Sequence, residues 1–350
     1  MTRTLAVRLD SLGDVLVTGP ALRALAADSE HLTLLCGPRG RSAAELLPGV
    51  DELVCWRAPW IDPEPDPVRR DDIAALVEML AAGRHDRAVV FTSFHQSALP
   101  TALLLRMAGI PWVAAISEDY PGSLLDLRHR CVDDQPEPER ALGLARACGA
   151  ELPSGDDGRL AVRDELLDGP LPVEPYIVLH PGTSVSARAW PAEHFRGTCR
   201  LLGEEGIRVV VTGAPDETGL TAYVADEHGI DRGGATSLGE LARILAGADA
   251  VVVGNTGPAH LAAAVGTPVV SLFAPTVPAI RWAPYGVPLV LLGDQQARCR
   301  GSRATTCPVP GHPCLMSVTP RDVVAAVMTL APDTRRQDRR STEHVMRRIS

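Results

Sequence analysis

The sequence predicts an α/β protein of two Rossmann-like domains with parallel sheets facing a central cleft. Three observations predict it. Short runs of valine, isoleucine and leucine alternate with amphipathic stretches along most of the chain, the pattern of βα units around a parallel sheet. The 350 residues suffice for two domains of ordinary size. Between the two alternating regions lies a stretch, 151–174, rich in proline, glycine and acidic residues, which reads as a linker.

In the first region, 1–150, strands are predicted at 4–8, 32–36, 52–56, 87–92 and 112–116. Helices are predicted at 14–27, 43–47, 72–82, 97–108 and 137–148, where apolar residues return every three or four positions. The proline-rich 58–67 reads as a surface loop. In the second region, 175–331, strands are expected at 176–180, 208–212, 250–253, 268–273 and 289–292. Helices are expected there at 192–205, 217–227, 238–246, 259–265 and 321–330. Residues 332–350 form an arginine-rich tail, for which a frayed helix and a weak peripheral contact with anionic lipid are the two readings.

Composition removes several classes of function. All 34 basic residues are arginine, so Schiff-base chemistry and a P-loop lysine are excluded. A net charge of −9 and only five Trp, four Tyr and four Phe argue against nucleic acid as a partner. The charge-free stretch 250–280 is interrupted by Pro258, Pro268, Pro275 and Pro278, which prevents a continuous membrane helix. The apolar start is broken by Arg8 and Asp10, leaving no signal-peptide core. The expected location is the cytoplasm, at the inner face of the plasma membrane if the tail touches lipid.

Ligands of such sheets bind at the carboxyl ends of strands, so the strand-to-helix turns carry the candidate chemistry. The first turn, Arg8-Leu9-Asp10-Ser11-Leu12-Gly13-Asp14, lacks the three-glycine dinucleotide fingerprint. Asp14, beside Ser11 and Gly13, reads either as a helix-start carboxylate or as a general base. A second cluster runs from His180 to Pro191. In it Thr183 and Ser184 offer hydroxyls and Arg188 a charged fork suited to a diphosphate, unless the hydroxyls merely satisfy their own loop. A third, Gly254-Asn255-Thr256-Gly257-Pro258-Ala259-His260, combines small residues and helix-start amides that favour phosphate. His260 alone reads equally as a packed core residue. Glu217, at another strand end, suits ribose hydroxyls or the first turn of a helix.

These segments resemble glycosyltransferase family 9, the heptosyltransferases. D-S-L-G-D-V-L-V-T-G-P-A-L at 10–22 is similar to the family's opening motif. H-P-G-T-S…R-A-W-P and N-T-G-P-A-H-L-A-A-A-V-G-T-P follow in the family's order. The resemblance implies a GT-B fold, with the acceptor bound mainly by the first domain and a nucleotide-sugar donor, ADP-heptose-like, by the second. It implies an inverting, metal-independent transferase without a cofactor, acting on a glycan or glycolipid hydroxyl in cell-envelope glycan biosynthesis. Asp14 would deprotonate the acceptor, with Ser11 and Gly13 on the acceptor side. Thr183, Ser184 and Arg188 would hold the diphosphate, with Asn255, Thr256, Gly257 and His260 nearby, and Glu217 would bind ribose. Arg188 stands where many members have lysine, and Asn255 where some have aspartate.

Two other readings accompany this one: a GT-B-type sugar-nucleotide epimerase, and a catalytically silent sugar-nucleotide-binding protein. Near the end, Cys299, Cys307, His312 and Cys314 are spaced C-x7-C-x4-H-x-C. They offer four soft ligands for zinc in a spacing that matches no recognised finger, and reduced thiols that pack in the core are the alternative.

Overall fold

The structure, a computed structural model, describes residues 2–131, 133–167, 169, 171 and 175–332. The chain divides into two compact units, Met1–Arg163 and Asp164–Ser350.

The first unit holds strands β1 (Arg3–Arg8), β2 (His31–Cys36), β3 (Glu52–Cys55), β4 (Arg87–Val90), β5 (Trp112–Ile116) and β6 (Leu127–His129). They form one sheet in the order β3-β2-β1-β4-β5-β6, with every neighbouring pair parallel. A parallel sheet is covered on both faces, so its inner strands are continuous apolar runs rather than alternating ones. Leu5, Val7, Leu35, Val90 and Val113 accordingly lie in the core.

The second unit holds β7 (Tyr176–His180), β8 (Arg208–Val211), β9 (Ile230–Asp231), β10 (Ala250–Gly254), β11 (Val269–Leu272) and β12 (Leu289–Leu292). Its sheet order is β12-β11-β10-β7-β8-β9, again all parallel. Ile177, Leu179, Phe195, Val209 and Val252 form its core. Counted from its own first strand, each sheet has the same doubly wound order. Winding reverses between β1 and β4 in one unit and between β7 and β10 in the other. Crevices open at the carboxyl ends of such strand pairs, and the three motif clusters follow β1, β7 and β10.

Three details depart from the sequence-based expectations. The edge strands β6 and β9 were not expected; they are only three and two residues long and carry little apolar signal. The helix expected at 14–27 is two helices, Leu12–Val17 and Gly19–Ala27, with Thr18 ending one and starting the next. Pro20 has no N–H to continue the first helix but suits the opening turn of the second. Residues 151–163, expected within the linker, pack on the first unit: Leu160 and Val162 are buried, and the Arg163 amide donates to the Leu46 carbonyl at 2.8 Å. Arg23 grips this segment with a two-pronged pair to Asp156, at 2.6 and 2.8 Å, and a third bond to the Arg159 carbonyl at 2.8 Å. Residues of the basic tail from 333 onward lie outside the described residues, and so does any lipid contact expected of them. Among the described residues, no helix is long and apolar enough to cross a membrane.

The Arg23 clamp is largely buried and charge-assisted, so its loss has a cost. Arg23→Ala is expected to destabilise the first unit by about 1–3 kcal/mol in urea denaturation. It should also speed proteolytic cutting within residues 151–163.

Candidate functional site

The first candidate centre grows from the end of β1. Arg8, the last residue of the strand, is only 2 % exposed. A guanidinium this deep requires compensating charge, and the next turn of the chain supplies it. Its Nε lies 2.9 Å from Asp10 Oδ2, and its Nη2 donates to Asp14 Oδ1 at 2.9 Å and to Ser93 Oγ at 3.0 Å. Gly37, at the end of β2, allows this turn to sit close: a Cβ there would stand 2.3 Å from the Leu9 carbonyl oxygen.

Asp14 is the third residue of its helix and receives the Ser11 amide at 3.2 Å and the Ser11 hydroxyl at 2.6 Å on Oδ2. Ser93 Oγ donates to its other oxygen at 3.2 Å. The capping role and the ion-pair role therefore coexist in one carboxylate. Burial alone would raise the Asp14 pKa, but the Arg8 charge and the hydrogen bonds from Ser11 and Arg8 outweigh it and hold the group below its ordinary value. Asp14 is thus ionised near neutral pH, with its side chain 16 % exposed. Asp10 moves the other way: burial, only partly offset by Arg8, pushes it up to about 6. Ser11 acts here as a partner of Asp14, and Gly13 is buried within the helix start.

Ser93 and Gln96 were not candidates from the sequence. They come from the loop after β4, which strand order brings beside β1. Gln96 donates to Asp10 and accepts the Ser93 amide at 3.0 Å. An apolar strand ending in a polar run, Thr92-Ser93, was the available signal; the pairing of β1 with β4 was not.

The second centre lies in the other unit, at the ends of β7 and β10. The loop after β7 carries Thr183, Ser184 and Arg188, and Arg188 Nη1 donates to the Asn255 carbonyl at 3.4 Å. Two of the motif clusters thereby meet. Thr183 also serves its own loop, accepting the Val185 amide at 3.2 Å, while Ser184 is exposed. Glu217 lies against Gly182, where a Cβ would stand 2.1 Å from its carboxylate oxygens, and it accepts the Ala214 amide at 2.8 Å. A side chain at 182 would displace the Glu217 carboxylate from this position.

Helix Gly257–Ala264 starts directly after Asn255 and Thr256. His260, one turn in, is buried, with its ring 6.5 Å from that of Trp282. Four polar atoms near these strand ends are buried without a hydrogen-bond partner among the described residues: Asn255 Nδ2, Thr256 Oγ1, Thr276 Oγ1 and Trp282 Nε1. All four are able to donate, and two can only donate. Donors of this kind, with the Arg188 charge, suit phosphate oxygens or sugar hydroxyls. Thr276 and Trp282, which follow β11, were not candidates from the sequence.

The cysteine segment packs rather than converging on a ligand. Cys299 and Cys314 are buried in the second unit's core, and Cys307 donates to the Val309 carbonyl at 3.3 Å. Burial and then the neighbouring thiols push Cys314 up to about 11, which favours the protonated form. His312 takes a left-handed backbone at the start of helix Pro313–Met316. Among the described residues, no group of three or more His, Cys, Asp or Glu is arranged to hold a metal ion.

The sequence model of glycosyltransferase family 9 (heptosyltransferase) matches residues 73–311. Lipopolysaccharide heptosyltransferase 1 of Salmonella typhimurium LT2 is 29% identical over 295 residues, covering 79% of this chain and 90% of its own. A family 9 glycosyl transferase from Veillonella parvula superposes with a TM-score of 0.75 at 19% identity, covering 95% of this chain and 97% of that one. An E. coli heptosyltransferase solved with ADP-2-deoxy-2-fluoro heptose gives a TM-score of 0.72 at 24% identity, covering 94% and 99%. The shared architecture is the GT-B type of two α/β units.

His180, which ends β7, is buried and bonded through Nδ1 to Thr212 Oγ1 at 2.9 Å. Burial pushes its pKa down to about 4, so it is a neutral scaffold residue at working pH. The unfolded chain takes up a proton near pH 6.5 that the folded one refuses until about 4. Its stabilising contribution is therefore complete above pH 6.5 and lost as pH falls toward 4, by up to about 3 kcal/mol. The difference between wild type and His180→Gln in urea denaturation across this range should show that slope.

Proposed function

Because the chain belongs to glycosyltransferase family 9, and is thus a glycosyltransferase, we propose that it transfers a heptose-like sugar from a nucleoside-diphosphate donor to a hydroxyl of a glycan or glycolipid. An ADP-heptose donor and a lipopolysaccharide-type acceptor are the chemistry named for its relatives. One observation carries the reading: an ionised, partly exposed Asp14 stands at the crevice of the first sheet, held by Arg8, Ser11 and Ser93.

In this reading the acceptor oxygen attacks the anomeric carbon while its proton passes to Asp14. The new C–O bond forms as the bond from the anomeric carbon to the diphosphate oxygen breaks, and the nucleoside diphosphate leaves with its electron pair. A single displacement of this kind inverts the anomeric centre. Positive charge on Arg188, amides at the start of helix Gly257–Ala264, and His260 stabilise the leaving group. Arg188 carries the charge that a metal carries in other transferases, so the reaction is metal-independent. Glu217, beside the Gly182 loop, binds ribose hydroxyls.

The test pairs two variants. Asp14→Asn should abolish transfer from ADP-heptose while leaving ADP affinity unchanged; full turnover by this variant removes Asp14 as the base. Arg188→Ala should weaken ADP binding roughly ten- to a hundredfold in calorimetric titration, the loss of a charged hydrogen bond. Wild-type turnover should survive EDTA, and its loss contradicts metal independence.

A further inference from the structure

The groups around Asp14 form a closed ring. Arg8 turns one edge to Asp10 and the other to Asp14, each at 2.9 Å. Asp10 accepts from Gln96, Gln96 accepts the Ser93 amide, and the Ser93 hydroxyl donates back to Asp14. Asp10 is thus tied to Asp14 by two routes, yet its side chain is only 8 % exposed against 16 % for Asp14. Asp14 is the better placed of the two to meet an acceptor.

We propose that Asp10 is a positioning residue for the transfer step: by occupying one edge of the Arg8 guanidinium, it prevents that cation from fully neutralising Asp14 and leaves Asp14 able to take the acceptor's proton. The inference rests on Asp14 being the base. A guanidinium shared between two carboxylates lowers the proton affinity of either one less than a guanidinium devoted to it, because the second carboxylate also repels the first. In a buried site with weak screening this difference is large.

Among the described residues, the charged groups facing Asp10 are few. Arg8 and Asp14 come from its own segment, and Glu137 from helix Glu137–Ala147 adds a third negative charge. Glu137 is itself paired with Arg140 at 3.2 Å, and Arg140 is anchored on the Thr92 carbonyl at 2.6 Å. Three carboxylates therefore face two guanidiniums, and a surplus proton settles on the carboxyl whose charged form is least supported. Burial makes that Asp10, with a pKa of about 6. Below this pH Asp10 is neutral, Arg8 turns its whole charge on Asp14, and transfer slows.

The wild-type enzyme should accordingly show an acid limb in kcat near pH 6, measured at saturating donor and acceptor. Asp10→Asn should lower kcat at pH 7.5 by roughly three- to tenfold, leave both KM values within twofold, and erase the limb. Gln96→Leu removes the amide that supports ionised Asp10, so its limb should move to higher pH. A residue with a merely structural role moves neither. If Asp14→Asn still transfers sugar, the base assignment fails. If Asp14→Asn is dead while Asp10→Asn, folded by its melting curve, keeps the wild-type kcat and limb, the role of Asp10 is overturned and the base assignment stands. Should Asp10→Asn fail to fold, an unmoved limb in Gln96→Leu overturns it equally.

Discussion

The buried guanidinium of Arg8 organises the candidate centre of the first unit. A cation with almost no exposure is stable only where carboxylates answer it at short range. That requirement dictates Asp10 and Asp14 on the following turn and draws in the polar loop after β4. It also frees the orientation of Asp14 from its own helix, which is only six residues long. The carboxylate is held from three directions, by Arg8, by Ser11 and by Ser93, so its geometry is a property of the sheet's crevice rather than of one short element.

The second unit solves a different problem with the same sheet. Its cluster holds an arginine that donates to a backbone carbonyl, together with donors buried without a partner among the described residues. Unsatisfied buried donors are costly, and a crevice that keeps several of them favours a ligand rich in acceptor oxygens. In the first unit, by contrast, the buried charges answer one another directly.

Much of this was legible in the sequence. Apolar runs located ten of the twelve strands among the described residues, because parallel strands buried on both faces have a strong signature. The two missed strands lie at sheet edges, where burial demands little of the residues. Asp14, Arg188, Asn255 and His260 could be singled out as candidates because they sit in compact local motifs. Ser93, Gln96, Thr276 and Trp282 were not, because each reaches its cluster through strand order rather than through sequence neighbourhood. Thr183 shows the opposite limit: its residue type suited a phosphate, but whether its hydroxyl served its own loop depended on local backbone geometry that the sequence leaves open. The family match begins at residue 73, so the case for Asp14 stands on its own motif and on the Arg8 geometry.

The repeated strand order has an evolutionary consequence. Each unit carries its chemistry on loops outside a complete core, and each core closes around its own residues. Substitutions in the loops after β1 and β4 therefore leave the core of the second unit untouched. Recombination between relatives has a natural seam near residue 163, where one complete core ends and the other begins.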